Sequence, residues 1–243
     1  NILDLGKIPL KSSDRGDEYP VIVAGGPCAF NPEPLADFID LFMIGDGEDL
    51  IEDICMIKKN TASKEEFLKR ACKLDGVYVP AFYHPVYKDD GTVLRIDKLY
   101  EGAPDRVRRA IVKDIDKAEF PVNNIVPFID TVHDRAVVET FRGCTRGCRF
   151  CQAGMIYRPV RERKKDTIED IVKKQLANTG HEELSLLSLS TSDYSEFENL
   201  AVELMDMCKA DNVSLSLPSL RLDSFSFKVL QEIQGYRKSG LTF

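Results

Sequence analysis

No stretch of the 243-residue sequence stays apolar for the length of a membrane span, and no signal-peptide pattern opens it. A membrane-spanning helix is therefore not expected. Positive charge is also short: 33 Lys and Arg stand against 40 Asp and Glu, a formal net charge of −7. That balance excludes a protein built to coat nucleic acid or anionic membrane without selectivity, although a local basic site stays open. Seven cysteines, an odd number spread along an acidic chain, do not make the pattern of a secreted disulfide scaffold. Metal-binding or redox thiols in a reducing compartment fit better, and the expected location is cytoplasmic. What is present is an ordinary globular composition, 43% hydrophobic and 30% charged, with enough chain for one large domain or two modest ones.

Along the chain, "YPVIVAGGP" (19–27) reads as a buried strand with a Gly-Gly-Pro exit, "NPEPLADFIDLF" as a helix, and "LFMIGDGE" as a second strand. Together they suggest a βαβ-like unit with glycines, Gly25 and Gly26 among them, at the carboxyl edge where ligands bind. Two helices are expected over 49–75. An Asp90-Gly91 hairpin follows within 77–96, then a helix over 104–118 and a proline-bearing linker. From residue 136 strands and helices alternate. "AVVETF" is a strand. "DTIEDIVKKQLANTG" is a helix with Asp166 and Glu169 as capping box and Gly180 as its stop. "LSLLSLS" and "VSLSLPSL" are strands, separated by a helix that Ser195 and Glu198 would cap. A further helix, "SFSFKVLQEIQG", and a strand at "GLTF" complete the series. Successive βα units imply a parallel sheet or partial barrel, with functional groups in the loops after each strand. Both ends read as cut, so a fragment of a longer polypeptide is expected.

The chemistry concentrates in "ETFRGCTRGCRFCQAG" (139–154), where Cys144, Cys148 and Cys151 form Cys-x-x-x-Cys-x-x-Cys. Three thiolates on one glycine-punctuated loop can converge on one metal centre. A structural zinc site needs four closed ligands, and a 4Fe–4S cluster normally takes four thiolates. No fourth Cys or His lies nearby: His133 precedes the strand, His181 begins the next unit and Cys208 sits on a helix. Three ligands leave one iron open, which suits a centre that does chemistry. The alternative is a non-catalytic zinc or electron-transfer module with a fourth ligand from elsewhere.

The cysteine spacing, with Phe150 before the last cysteine and a strand before the loop, resembles the radical SAM superfamily. "GGPCAFNPEPLADFIDLFMIGDGE" and "VHDRAVVETFRGCTRGCRFCQAGMIYRPVRER" together are similar to an uncharacterised subgroup with a cobalamin-binding-type domain before the radical SAM core. The resemblance implies an α/β fold in which residues 1–48 are part of a Rossmann-like domain. Residues 49–132 would be a helical and hairpin connecting region, and 133–243 the first half of a βα barrel. It implies a 4Fe–4S cluster on the three cysteines, S-adenosylmethionine cleaved reductively to a 5′-deoxyadenosyl radical, and an external donor of the flavodoxin or ferredoxin type. Phe150 would lie near the adenine, and Ser190, Thr191, Ser192 and Asp193 near the methionine amino group. Arg221 would hold a carboxylate, or else pair with Asp223. Gly25 and Gly26 would match the glycines beside a cobalamin tail, or form an ordinary tight turn. The cobalt-ligating Asp-x-His-x-x-Gly motif is absent, so this chain alone is expected not to bind cobalamin, whatever the full-length protein does. "YRPVRERKK" (157–165) reads as a solvated loop, or as a docking site for an anionic substrate such as RNA. Cys55, Cys72 and Cys208 are expected in the core, and His84 and His133 in structural roles.

Overall fold

The structure, a computed structural model, describes residues 1–129, 131–224 and 229. The chain divides into two compact units, Asn1–Val112 and a second that begins at Lys113. The expected helix at "SFSFKVLQEIQG" and the strand at "GLTF" lie outside the described residues, apart from Ser224 and Val229.

After a single helical turn, α1 (Ile2–Leu5), the first unit places β1 (Val23–Ala24) parallel to β2 (Leu41–Met43), Val23 opposite Leu41. The connection between them is not the expected helix. It is two short 3-10 turns, Pro27–Phe30 and Glu33–Leu35, because Pro27, Pro32 and Pro34 remove backbone donors that an α-helix would need. Helix α2 (Glu48–Lys59) carries acids in its first turn and lysines in its last, the arrangement that suits its dipole. In α3 (Lys64–Ala71) the Ser63 hydroxyl accepts from the Glu66 N–H at 3.2 Å. Strand β3 (Val77–Tyr78) pairs antiparallel with β2. Leu41, Leu50, Ile54, Phe67, Leu68 and Val77 close one core. Cys72 is buried as expected, but Cys55 is exposed: it lies one residue beyond the apolar stripe of Leu50 and Ile54. The Asp90-Gly91 turn joins β4 (Tyr83–Tyr87) to β5 (Val93–Lys98), with Gly91 at φ +80°.

Residues 104–118 form no helix. They run as irregular chain with bends and a turn, and Ala110 bonds instead to distant chain. Ala110 N–H donates to Ile44 O at 2.9 Å, and Asp46 N–H donates to Ala110 O at 3.0 Å. Gly45 (φ +115°) and Gly76 (φ +87°) leave the space: a Cβ on either would overlap Ala110.

Asp40 anchors this unit. Its side chain and that of Arg15 have no exposure, and they form an ion pair at 3.0 Å. Lys64 Nζ stands 2.8 Å away, the Ile22 N–H donates at 2.7 Å and the Ser12 hydroxyl donates to the same carboxylate. Arg15 also donates to the carbonyls of Pro9, Leu10 and Phe38. Burial pushes the Asp40 carboxyl up, but Lys64, Ser12, Ile22 N–H and Arg15 together hold it below the ordinary carboxylate range.

The second unit is built on β6 (Ala136–Glu139), which ends one residue before the short strand β7 (Phe141–Arg142). Helix α4 (Ala153–Ile156) and strand β8 (Arg161–Glu162) follow, then α5 (Lys165–Thr179), β9 (Glu183–Leu187), α6 (Phe197–Ala210) and β10 (Ser214–Ser216). The sheet order is β10-β9-β6 with both pairings parallel, so β6, β9 and β10 are successive βα units side by side. Val138, Ile168, Val172, Leu184, Leu200 and Leu204 fill the core. Gly180 stops α5 in the left-handed conformation. Neither expected capping box forms. Lys164 caps α5, its N–H donating to the Asp116 carboxylate 48 residues away at 2.9 Å. Ser195 gives its N–H to Glu162 at 3.1 Å, and α6 begins two residues later. Among the described residues no helix is long and apolar enough to cross a membrane.

Candidate functional site

The three loops that leave the carboxyl ends of β6, β9 and β10 carry the sequence features singled out above, as parallel βα architecture requires. The first is closed at its base by the antiparallel pair β7–β8, Phe141 opposite Glu162 and Arg142 opposite Arg161. Cys144, Cys148 and Cys151 stand on the loop so enclosed, all half-buried and none in a disulfide. The Cys151 N–H donates to Cys148 O at 3.0 Å, and the Gly154 N–H points to Cys151 Sγ at 3.4 Å. Arg158 Nε donates to Cys144 O at 3.3 Å. The donor set fits a thiolate-held cluster: three free, accessible sulfurs on one short loop. Among the described residues no three Cys, His, Asp or Glu side chains are already gathered as a metal cage.

Gly143 turns the chain into this loop at φ +92°, and a Cβ there would come within 2.7 Å of Pro159 O and 2.9 Å of Tyr157 O. Alanine at 143 therefore faces both a forbidden backbone region and a collision with backbone that cannot give way. Gly143→Ala is expected to destabilise the second unit by about 1–3 kcal/mol, read as a lowered urea midpoint. An unchanged midpoint would mean that the loop entrance is not held as described.

The basic run 157–165 is not solvated throughout, although Lys164 within it is exposed. Arg161 and Arg163 are buried. Arg163 donates to Ile115 O, lies over the Phe120 ring at 5.3 Å and stands 3.8 Å from Glu139. Lys165 is bound by Glu203 at 2.6 Å. Arg163 and Lys165 thus help to hold the unit together.

The second loop holds Ser190, Thr191 and Ser192, all buried, and Asp193. The Thr191 hydroxyl donates to Pro218 O at 2.7 Å, and Ser192 Oγ lies 2.8 Å from Ser224 Oγ and accepts from the Arg221 N–H at 3.1 Å. These side chains bind the second loop to the third. An open cleft of 390 Å³ lies beside them, lined by Ser192, Tyr194, Ser195 and Ser224. Asp193 receives Arg146 through both guanidinium Nε, at 2.8 Å, and Nη2. Its contact with Arg146, ahead of the opposing effect of burial, brings its pKa down to about 2. On the third loop Arg221 pairs with Asp223 at 2.9 Å, the alternative weighed for it from the sequence, and Asp223 also accepts from Arg146 at 3.1 Å. Phe150 is 93% exposed, so its ring is free to stack.

Sequence reasoning passed over Arg146. Its signal was a charge inside the cysteine spacing with two aspartates, 193 and 223, on the next two loops. In the first unit Gly25 and Gly26 follow β1. Gly26 has φ +88° with nothing within 4 Å of the place a Cβ would take, whereas a Cβ on Gly25 would lie 3.7 Å from Met43 Cβ, an ordinary contact.

The family comparisons agree with this architecture. Residues 1–80 match the family of radical SAM proteins, N-terminal, and residues 138–243 match the radical SAM superfamily. An uncharacterised protein of Methanocaldococcus jannaschii is 27% identical over 218 residues, 89% of this chain and 41% of that protein. A tRNA-2-methylthio-N(6)-dimethylallyladenosine synthase of Staphylococcus epidermidis is 27% identical over 114 residues, 46% of this chain and 22% of the enzyme. The chain thus spans less than half of the curated relatives it matches. Among solved structures, the radical S-adenosylmethionine methyltransferase TsrM of Kitasatospora setae, with cobalamin and a [4Fe-4S] cluster bound, aligns with a TM-score of 0.58 at 13% identity. The alignment covers 91% of this chain and 41% of TsrM, and it shows the shared mixed α/β fold with its parallel sheet. With the N-terminal and core regions in order along it and the cysteine loop at the sheet edge, the chain belongs to the radical SAM superfamily.

Proposed function

We propose that the second unit holds a 4Fe–4S cluster on Cys144, Cys148 and Cys151 and that the chain contributes to an S-adenosylmethionine-dependent radical enzyme. The observation that carries this reading is the placement of three free, half-buried thiols on one loop at the carboxyl edge of a parallel sheet. When bound, the cluster would supply an electron from an external flavodoxin- or ferredoxin-type donor and an open iron for the methionine end of the cofactor, releasing a 5′-deoxyadenosyl radical. The chain's own residues have simpler tasks. The Gly154 N–H, which donates to Cys151 Sγ at 3.4 Å, helps to orient that sulfur. Phe150 offers an aromatic face to a base, and the β9 and β10 loops bring Ser190 and Asp193 to the same edge, where Thr191 and Ser192 join the loops and Arg221 pairs with Asp223.

Methyl transfer and methylthiolation are named for relatives of which this chain covers less than half, so the proposal stops at cofactor cleavage. RNA as substrate has less support than the sequence offered, because Arg161 and Arg163 are buried. Cobalamin, bound in TsrM, is proposed here only for a longer protein. Titrating this chain with hydroxocobalamin is expected to give no stoichiometric absorbance change, and saturation at one equivalent would reverse that part.

Anaerobic reconstitution with iron and sulfide tests the main reading. It should yield about four irons per chain and a reduced EPR signal that S-adenosylmethionine perturbs. One tightly held zinc and no visible chromophore would replace the proposal with a structural zinc module.

A further inference from the structure

The tip of the cysteine loop, residues 145–150, is exposed except at half-buried Cys148. Among the described residues, the side chains of this tip reach the rest of the unit by hydrogen bonds through Arg146. Two hydrogen bonds go to Asp193 and one to Asp223. Each carboxylate belongs to a different loop, one after β9 and one after β10. Asp223 is itself held by Arg221 Nε at 2.9 Å and Nη2 at 3.1 Å, so carboxylate and guanidinium alternate in the order Asp193, Arg146, Asp223, Arg221. The planar guanidinium matches this task. It meets Asp193 with two parallel donors and still has Nη1 for Asp223, which the single ammonium of a lysine cannot do in one geometry.

We propose that Arg146 is a positioning residue: it clasps the cysteine loop to the β9 and β10 loops and so fixes where the three thiols stand before any cofactor arrives. The thiols occupy both sides of the clasp, Cys144 two residues before Arg146 and Cys148 two residues after it. Glycines 143 and 147, both at positive φ, flank the same short stretch and allow the chain to swing if the clasp is opened. The consequence is kinetic and geometric. A loop tied at its tip presents its sulfurs in one arrangement, whereas a loop tied only at the β7–β8 base samples many.

The inference rests on the proposed cluster only for its purpose, not for its test, which begins with the metal-free chain. Hydrogen exchange of peptides covering 143–151 is compared in the wild type, Arg146→Lys, Arg146→Ala and Asp193→Asn, with peptides from α5 and α6 as the measure of an intact fold. Arg146→Lys keeps the charge and loses the fork, so it separates positioning from electrostatics. All three variants are expected to exchange faster in this loop by about fivefold, with α5 and α6 unchanged. Raising salt to about 0.5 M should move the wild type toward the variants and leave Arg146→Ala where it was. Loop exchange that is the same in all four proteins would overturn the proposal and reduce Arg146 to a surface ion pair. A second readout follows reconstitution with iron and sulfide: Arg146→Lys and Asp193→Asn should acquire visible absorbance several-fold more slowly than the wild type. If the wild type takes up no iron, the cluster assignment fails while the exchange measurement still decides the clasp.

Discussion

Replacing Cys144, Cys148 or Cys151 with alanine is expected to lower reconstituted iron from about four per chain to less than about one, with loss of the visible chromophore. Each sulfur would hold a different iron corner, and none of the remaining cysteines lies on this loop. Cys72 and Cys208 are buried. Burial pushes the Cys72 thiol up and the Cys208 thiol up to about 11, so neither supplies a thiolate at neutral pH. Cys28 and Cys55 are exposed but belong to the first unit, which makes Cys28→Ala and Cys55→Ala the proper controls; both should keep full iron. Iron content is read by colorimetric assay against protein, with EPR on the reduced sample. If the triple cysteine variant still carries four irons, the ligands lie elsewhere and the proposal is wrong at its root.

Asp40→Ala is expected to be the most destabilising single change in the first unit, by about 3–5 kcal/mol. Removing the carboxylate leaves the fully buried Arg15 guanidinium, the Lys64 ammonium and the Ile22 N–H without their common acceptor. Set against a whole-domain stability of about 5–15 kcal/mol, that loss is a large share. Asp40→Asn is expected to rescue little, since one of its two polar atoms is a donor facing donors. The pH dependence follows from the direction of the shift. The folded pKa is lowered, so the carboxylate's contribution is complete above the unfolded value near 3.9 and is lost as pH falls through the depressed folded value. The wild type should therefore lose stability in acid below about pH 4, and Asp40→Ala should show a flatter profile there. Hydrogen exchange in α2 and α3 locates the effect. A urea midpoint displaced by less than about 1 kcal/mol-equivalent would mean that the buried pair contributes no more than an ordinary hydrogen bond.

The elements that sequence patterning conveyed were those set by local information. The parallel strands of the second unit, α5 with its Gly180 stop and the Asp90-Gly91 hairpin all follow from periodicity and turn chemistry. The misread elements are governed by partners far away in sequence. Residues 104–118 carry a helical pattern, yet Ala110 finds its backbone partners at Ile44 and Asp46. Helix α5 takes its cap from Asp116, not from its own Asp166. Arg163 looks like part of a solvated basic run until Ile115, Phe120 and Glu139 are folded over it, and Arg161 until it turns back onto the Pro159 and Tyr157 carbonyls. The same limit applies to the candidate site. The three cysteines announce themselves by spacing, whereas the Arg146 clasp exists only once the β9 and β10 loops are neighbours. The hydroxyls of Thr191 and Ser192, which looked like free ligand contacts, bind the loops to each other.

The two-residue stem formed by Phe141–Arg142 and Arg161–Glu162 has a meaning for chelation. Joining the ends of the intervening segment removes the closure entropy that an open chain would lose on ligation, a cost that rises with the logarithm of length. Each bound sulfur then presents the next at a high effective concentration. A separate peptide of the same sequence lacks that advantage and must gather its thiols unaided. On the proposed ligation, iron affinity would be a property of the ring that the stem closes as much as of the three cysteines it contains.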